Sequence, residues 1–215
     1  MFILKESLAS SGAQSIANPL YVAAWVVMII ALILTVVSMI DYIYNARAVF
    51  TGGDQDDDKK DEAQELVSLA KENNLKIGCA ESLTSGLVAS KIGSVPGASK
   101  VFAGAIISYM YSVKEKILNV DSKILKEKGA VNEDTAKQMA IGAREKLGCD
   151  FCVSTTGIAG PDKDEFGTPV GTVFIACASK ANCESKKLSL KGTREQIRQE
   201  AANEAVRFLK TFLKN

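Results

Sequence analysis

The sequence predicts an α/β fold, a three-layer α/β/α sandwich with a mixed five-stranded sheet, preceded by one N-terminal transmembrane helix. Residues 19–40 are apolar and uncharged, which indicates a membrane span. From residue 62 onward, short apolar strands alternate with segments of helical spacing, which is typical of an α/β sandwich. The last two strands follow each other with no helix between them, so the sheet is predicted to be mixed.

The apolar run has only Thr35 and Ser38 as polar interruptions. About twenty helical residues match a hydrocarbon core about 30 Å thick. Aromatic residues suited to the membrane interfaces flank it: Tyr21, Trp25, Tyr42 and Tyr44. Lys5 lies before the run and Arg47 after it, which favours a cytoplasmic C-terminal side. We therefore expect a single-pass membrane protein whose following domain lies in the cytoplasm.

The composition divides the chain into four parts. The acidic segment TGGDQDDDKKDE, residues 51–62, has no core-forming residue and predicts a flexible linker. The predicted parts are an N-terminal leader at 1–18, a transmembrane helix at 19–44, an acidic flexible linker at 45–61 and an α/β domain at 62–215.

The soluble part contains these predicted elements in order: a helix at 62–74, a strand at 75–80, a helix at 84–95, a strand at 101–109, a helix at 111–120, a short helix from Asp121 to Lys128, a long helix from Asn132 to Leu147, strands at 150–157, 171–179 and 186–191, and a terminal helix at 192–213. Three residues are predicted N-caps, because each precedes a helical pattern: Asp121, Asn132 and Thr193.

The charge and composition exclude several classes of function. A net charge of +1 without a basic stripe argues against nucleic-acid binding. The chain has no histidine, so an activated serine needs a lysine, tyrosine or carboxylate as its base. Five cysteines without disulfide-like spacing fit a reducing compartment. Cys149 and Cys152 form a CxxC pair, but no second pair or histidine accompanies them, so no metal site or cofactor is predicted.

Candidate site residues follow three of the predicted strands, where ligands collect in open α/β sheets. They are Glu81–Gly86, then Ser108, Tyr109 and Lys114, and then Thr155–Pro161. A strand-to-helix turn rich in hydroxyls and glycine can hold a phosphate or an oxyanion. The same hydroxyls can instead cap a helix, so from the residues alone Ser82 is either a nucleophile or a cap.

A family resemblance rests on a series of motifs. They are AESLTSG at 80–86, VPGAS at 95–99, Tyr109 with Lys114 five residues later, KGAVN at 128–132, TGIAGP at 156–161, TPVGTV at 168–173 and GTR at 192–194. In order and spacing, these motifs resemble the C-terminal domain of the CinA family, the nicotinamide-nucleotide amidases. The resemblance covers about 150 residues.

The resemblance implies deamidation of nicotinamide mononucleotide to nicotinate mononucleotide and ammonia, as part of pyridine nucleotide salvage. It implies that Ser82 is the nucleophile, that Lys114 is its base, and that Tyr109 relays the proton or orients the lysine. The implied substrate-binding residues, some of which would supply backbone N–H groups to the oxyanion, are Glu81, Thr84, Ser85, Gly86, Thr156, Gly157 and Arg194. No metal or cofactor is implied.

This chain departs from the family pattern at Leu83, at Ser85 and at Met110–Val113. The alternative function is therefore a catalytically weak or inactive nucleotide-binding module tethered to the membrane. The expected partners are a nucleotide substrate and the membrane, and self-association into a homo-oligomer is compatible with the sequence.

The N-terminal segment resembles a different family. Residues 18–47 are similar to the last membrane helix of phosphatidylglycerophosphate synthase, but the catalytic pattern of that enzyme is absent from the chain. The segment is therefore predicted to be an anchor, and a role in lipid synthesis is disfavoured.

Overall fold

The computed structural model describes the backbone of residues 14–50 and 57–214, with the side-chain environments of residues 22–43 and 62–214. The chain divides into two units, Met1–Asp56 and Asp57–Asn215. Residues 1–13 of the predicted leader and 51–56 of the predicted linker lie outside the described residues.

The first unit contains one long helix, α1 (Gln14–Phe50). Within it, the 22 residues Val22–Ile43 have a mean hydropathy of 2.7, and their side chains are exposed. By length and composition this helix could cross a membrane. The domain boundaries stay predictions, although helical backbone extends to Phe50 and resumes at Asp57, into both ends of the predicted linker.

The second unit contains six more helices and five strands among its described residues. The helices are α2 (Asp57–Glu72), α3 (Leu87–Gly93), α4 (Tyr111–Leu118), α5 (Ser122–Lys128), α6 (Glu133–Leu147) and α7 (Arg194–Leu213), with a 3₁₀ turn at Ala98–Lys100. The strands are β1 (Ile77–Glu81), β2 (Phe102–Ile107), β3 (Phe151–Gly157), β4 (Thr172–Ala178) and β5 (Cys183–Ser189).

The five strands form one sheet in the order β2-β1-β3-β4-β5. β1 is parallel to both β2 and β3, whereas β4 is antiparallel to β3 and to β5. Helices α2, α3 and α7 contribute to the core on one face, and α4, α5 and α6 cover the other. The predicted three-layer sandwich with a mixed sheet is confirmed.

Local signals fixed several of the helix starts correctly. The side chain of Asp121 accepts a hydrogen bond from the Lys123 amide, and that of Asn132 accepts one from the Thr135 amide, each at 2.8 Å. Thr193 and Gln196 bond each other's backbone amides in a capping box at the start of α7. The three predicted N-caps are confirmed.

Two of the element starts that differ from the prediction have a clear structural cause. α3 begins at Leu87 rather than near Thr84, because Ser85 (φ +51°) and Gly86 (φ +99°) adopt left-handed backbone that interrupts a helix. β5 begins at Cys183 rather than Lys186, because its pairing with β4 extends to Cys183 opposite Ala178. The first residues of this edge strand were predicted to be a turn, because charged residues are common in both turns and edge strands.

The mixed topology brings the candidate segments to one edge of the sheet. The carboxyl ends of β1, β2 and β3 meet there, and the antiparallel β4 starts there at Thr172. Main-chain bonds continue the sheet beyond the strands: Ser108 donates to the Glu81 carbonyl at 2.8 Å and Ser82 to the Thr155 carbonyl at 3.0 Å. This edge is the candidate site.

A truncation pair tests the predicted boundary. Deleting residues 1–56 should leave a soluble domain that unfolds cooperatively, since α2 begins at Asp57 and its Leu66 and Val67 are fully buried in the core. Deleting residues 1–74 should lower the free energy of unfolding by about 4 kcal/mol or more, because both side chains are lost from the core. Denaturant titrations measure both. Aggregation of the shorter deletion would contradict the boundary.

Candidate active site

Ser82 lies at the first residue after β1, in a tight turn that leads into α3. Its amide donates to the Thr155 carbonyl, and its carbonyl accepts from the Ser85 amide at 3.2 Å. The side chain is 9 % exposed. Ser82 is not the N-cap of α3, because Gly86 occupies that position without a side-chain cap.

Glu81 precedes Ser82 and is fully buried. Its carboxylate accepts hydrogen bonds from the amides of Gly86 at 2.8 Å, Ala89 at 2.9 Å and Val88 at 3.2 Å. The thiol of Cys79 lies 3.6 Å from Oε1 of the same carboxylate. Glu81 was expected to bind substrate. In the structure its carboxylate instead stabilises the turn and the first residues of α3.

Lys114 lies in α4, the helix that follows β2, and its side chain reaches Ser82. Its Nζ lies 3.1 Å from Ser82 Oγ, 2.6 Å from the Ser108 carbonyl and 3.1 Å from the Tyr109 carbonyl. The side chain is fully buried, and burial lowers the pKa of its amine from 10.5 to about 8. The predicted Ser82 and Lys114 side chains are thus brought into hydrogen-bonding contact.

Tyr109 and Arg194 form a separate pair at the rim. Tyr109 is 53 % exposed, and its hydroxyl accepts a hydrogen bond from Arg194 Nη2 at 3.2 Å. Arg194 also donates through Nη1 to the Gly160 carbonyl. Tyr109 contacts Lys114 through its main-chain carbonyl, and its hydroxyl is directed to Arg194.

The remaining predicted residues are mostly engaged within the fold. The hydroxyls of Thr84 and Thr155 are 2.7 Å apart and buried, and Thr156 Oγ1 donates to the Ala130 carbonyl at 2.8 Å. At Gly157, a Cβ atom would lie 2.7 Å from the Thr172 carbonyl oxygen, so this glycine permits close packing of β3 and β4. Ser85 is exposed at the turn.

Arg198 contacts the site, although the sequence reasoning did not identify it. Its Nε donates to the Leu83 carbonyl at 3.0 Å and its Nη2 to the Thr84 carbonyl at 3.2 Å. It lies four residues after Arg194, on the same face of α7. The four-residue spacing from Arg194 could have identified Arg198 in the sequence, but only after Arg194 had been assigned to the site.

Tyr111, one of the departures from the family pattern, links α4 to the loop after β3. Its hydroxyl donates to Glu165 Oε1 at 3.1 Å. Partial burial and this carboxylate raise the pKa of Tyr111 above its usual value. The same loop places Phe166 against Gly129, where a Cβ atom would lie 2.6 Å from the ring.

A surface hollow of about 660 Å³ lies beside this loop. Its lining includes Phe166, Phe174, Lys187 and Lys191, and it does not include Ser82, Lys114 or Arg194. The hollow therefore differs from the site defined by the reactive side chains. We assign the candidate active site to Ser82 and Lys114, because their side chains are in hydrogen-bonding contact and burial lowers the pKa of the lysine.

In the described part of the chain, the cysteines form no second candidate site. All five are free thiols, and Cys149 and Cys152 are buried. Among the described residues, no three histidine, cysteine or acidic side chains converge into a metal-binding group.

Comparison with known proteins decides the family. The family model described as CinA C-terminal domain matches residues 59–213. The chain belongs to the CinA family. A CinA-like protein from Geotalea uraniireducens is 42% identical over 133 residues, which cover 62% of this chain and 32% of that protein. Another from Geobacter sulfurreducens is 42% identical over 148 residues, 69% of this chain and 36% of that protein. The chain thus spans about a third of the length of these curated CinA relatives.

Solved CinA structures share the fold. The competence/damage inducible protein CihA from Agrobacterium tumefaciens superposes with a TM-score of 0.70 at 30% identity, over 74% of this chain and 96% of that one. A CinA superfamily protein from Escherichia coli gives a TM-score of 0.70 at 29% identity, over 74% of this chain and 92% of that one. The domain from α2 to α7 therefore has the CinA fold.

Replacing Glu81 tests its role in holding the turn. Glu81→Gln should lower the free energy of unfolding by about 2–3 kcal/mol, because an amide has one acceptor oxygen and turns its NH₂ group towards backbone donors. Glu127→Gln, an exposed position on α5, is the matched control and should change stability by less than about 0.5 kcal/mol. Equal stability of the two variants, measured by urea titration, would contradict this role.

Proposed function

We propose that the CinA domain of this chain is an amidohydrolase that converts nicotinamide mononucleotide to nicotinate mononucleotide and ammonia. The observation that carries the proposal is the 3.1 Å contact between Lys114 Nζ and Ser82 Oγ in a buried setting. A serine beside a lysine of depressed pKa can act as a nucleophile with its base, and this pairing fits a chain that has no histidine.

The contacts of Lys114 orient its lone pair. A neutral amine has two N–H donors, and the Ser108 and Tyr109 carbonyls provide two acceptors for them. The lone pair is then free to accept the hydroxyl proton of Ser82. At pH 7 an amine with a pKa of about 8 is neutral in about one molecule in ten, against roughly one in three thousand at the ordinary value of 10.5.

The reaction proceeds through an acyl-enzyme. Ser82 Oγ attacks the carboxamide carbon while Lys114 takes its proton. The tetrahedral intermediate collapses, the Lys114 ammonium donates its proton to the amide nitrogen, and the C–N bond breaks to release ammonia. A water molecule, deprotonated by the neutral Lys114, then attacks the ester carbon; the bond to Ser82 Oγ breaks, Lys114 returns the proton to that oxygen, and the carboxylate product is released.

Arg194 is the proposed anchor for the substrate phosphate. Two of its N–H donors are used by Tyr109 and Gly160, and a guanidinium has five. Its exposed position at the rim leaves the others open to an anion. Tyr109 would hold the guanidinium in place and offer its half-exposed ring to the substrate.

We also propose that α1 anchors the domain to the cytoplasmic side of a membrane. The length and hydropathy of Val22–Ile43 support this anchor. The likeness of the segment to the last membrane helix of phosphatidylglycerophosphate synthase stays a prediction, as do the absence of nucleic-acid binding and self-association into a homo-oligomer.

Removing the nucleophile separates chemistry from binding. Ser82→Ala should abolish ammonia release from nicotinamide mononucleotide and leave its dissociation constant within about tenfold, because the rim contacts remain. Coupled ammonia detection and calorimetry measure the two quantities. Binding of the nucleotide without turnover in the unmodified chain would favour the alternative, a nucleotide-binding module.

The pH dependence tests the base. The rate should rise with pH through an ionisation at about 8 and then level off, because only the neutral form of Lys114 accepts a proton. Lys114→Met and Lys114→Arg should both lose about 10³-fold or more in kcat, since the first lacks the amine and the second stays charged. Lys116→Arg on the exposed side of α4 is the control. An active Lys114→Arg variant would show that the lysine supplies charge alone.

A further inference from the structure

Arg198 binds two consecutive peptide carbonyls of the loop that carries Ser82. The guanidinium donates to Leu83 and Thr84 at 3.0 and 3.2 Å, and its third nitrogen pairs with Glu195 at 2.8 Å. The Arg198 side chain is only 22% exposed, so its position is restricted by the surrounding fold. A charge so placed holds the main chain of the loop from the side of α7.

The amides of this loop are unequally used. The Ser82 amide donates to the Thr155 carbonyl, and the Ser85 amide donates to the Ser82 carbonyl. The Gly86 amide donates to the Glu81 carboxylate. In the part of the chain that the structure describes, the amides of Leu83 and Thr84 donate to no acceptor. Leu83 is 3% and Thr84 0% exposed. Buried amides without acceptors are rare, and two in succession beside Ser82 are candidate donors to an oxygen anion.

The peptide geometry connects Arg198 to one of these free amides. The C=O and N–H of a trans peptide point in opposite directions. Arg198 holds the Leu83 carbonyl towards α7, so the Thr84 N–H of the same peptide points away from α7. The bond from the Ser85 amide to the Ser82 carbonyl fixes the Leu83 N–H in the same manner. The cation also polarises the peptide it binds, which strengthens the N–H as a donor.

We propose that Arg198 is a positioning residue, which orients the Leu83 and Thr84 amides to receive the oxyanion formed when Ser82 attacks. This inference rests on the proposed function in one respect, that Ser82 attacks a carbonyl carbon. During the attack the Ser82 O–C bond forms, the π electrons of the carbonyl move to its oxygen, and the proton passes to Lys114. The two amides receive the resulting oxyanion.

The experiment uses the full-length chain in detergent and an activated ester, p-nitrophenyl acetate, as the probe. Acetylation of Ser82 releases p-nitrophenolate, and peptide mass spectrometry confirms the modified residue. Arg198→Met should slow acetylation on the order of 10²-fold. Arg198→Lys should fall between this variant and the unmodified chain, because an ammonium can hold one of the two carbonyls. Arg207→Met, an exposed ion-pair position on the same helix, should stay within about twofold.

A kinetic split distinguishes positioning from general loss of structure. With nicotinamide mononucleotide, Arg198→Met should lower kcat and leave KM within about threefold, because the rim residues are unchanged. A merely structural role would raise KM as well and shift the thermal unfolding midpoint. If Arg198→Met does not fold, Arg198→Lys decides, with circular dichroism as the check of its fold.

The outcomes separate this inference from the proposed function. Acetylation of Ser82 in the unmodified chain, slowed in the Arg198 variants, supports the inference even if no ammonia is released from the nucleotide; that release alone decides the proposed function. Absence of Ser82 acetylation in the unmodified chain overturns the inference. So does a folded Arg198→Met or Arg198→Lys variant that reacts within threefold of the unmodified rate.

Discussion

The buried carboxylate of Glu81 is the interaction on which the geometry of the site depends. A buried charge without partners is costly, and Glu81 obtains its partners from the amides of Gly86, Val88 and Ala89. Those amides are the ones that a helix N-terminus would otherwise offer to an external anion. The protein thus occupies the start of α3 with its own carboxylate, and the Leu83 and Thr84 amides, which have no acceptor among the described residues, lie earlier in the loop, beside Ser82.

The second constraint is the lack of histidine, which makes the environment of one lysine decisive. Lys114 is surrounded by carbonyls and a hydroxyl, and burial lowers its pKa to about 8. The pKa of Lys128, which is exposed beside Asp134, is instead raised by that carboxylate. The same type of side chain therefore has a lowered pKa in one place and a raised pKa in the other. Burial, rather than a partner charge, makes the difference.

Helix α7 joins the core of the domain to its chemistry. Towards its C-terminal end, Val206, Leu209 and Phe212 are buried against the sheet and α2. Near its N-terminal end, Arg194 reaches the rim and Arg198 the loop carbonyls. Because the packed end restrains the helix, the two arginines are held on a rigid element, which favours accurate placement of both.

The sequence by itself determined the fold class, the apolar helix, the N-caps and the pairing of Ser82 with Lys114. The caps were accessible because Asp121, Asn132 and Thr193 act on amides two or three residues away, so the signal is local. The pairing was accessible through the family motifs alone, since 32 residues separate the two side chains.

Tertiary structure decided the roles that depend on direction and distance. Only the folded chain shows that Glu81 turns to its own helix, that the Tyr109 hydroxyl faces Arg194, and that Arg198 contacts Leu83 across 115 residues of sequence. Residue type sets what a side chain can bind. Which partner it meets is decided by the packing of elements that are distant along the chain.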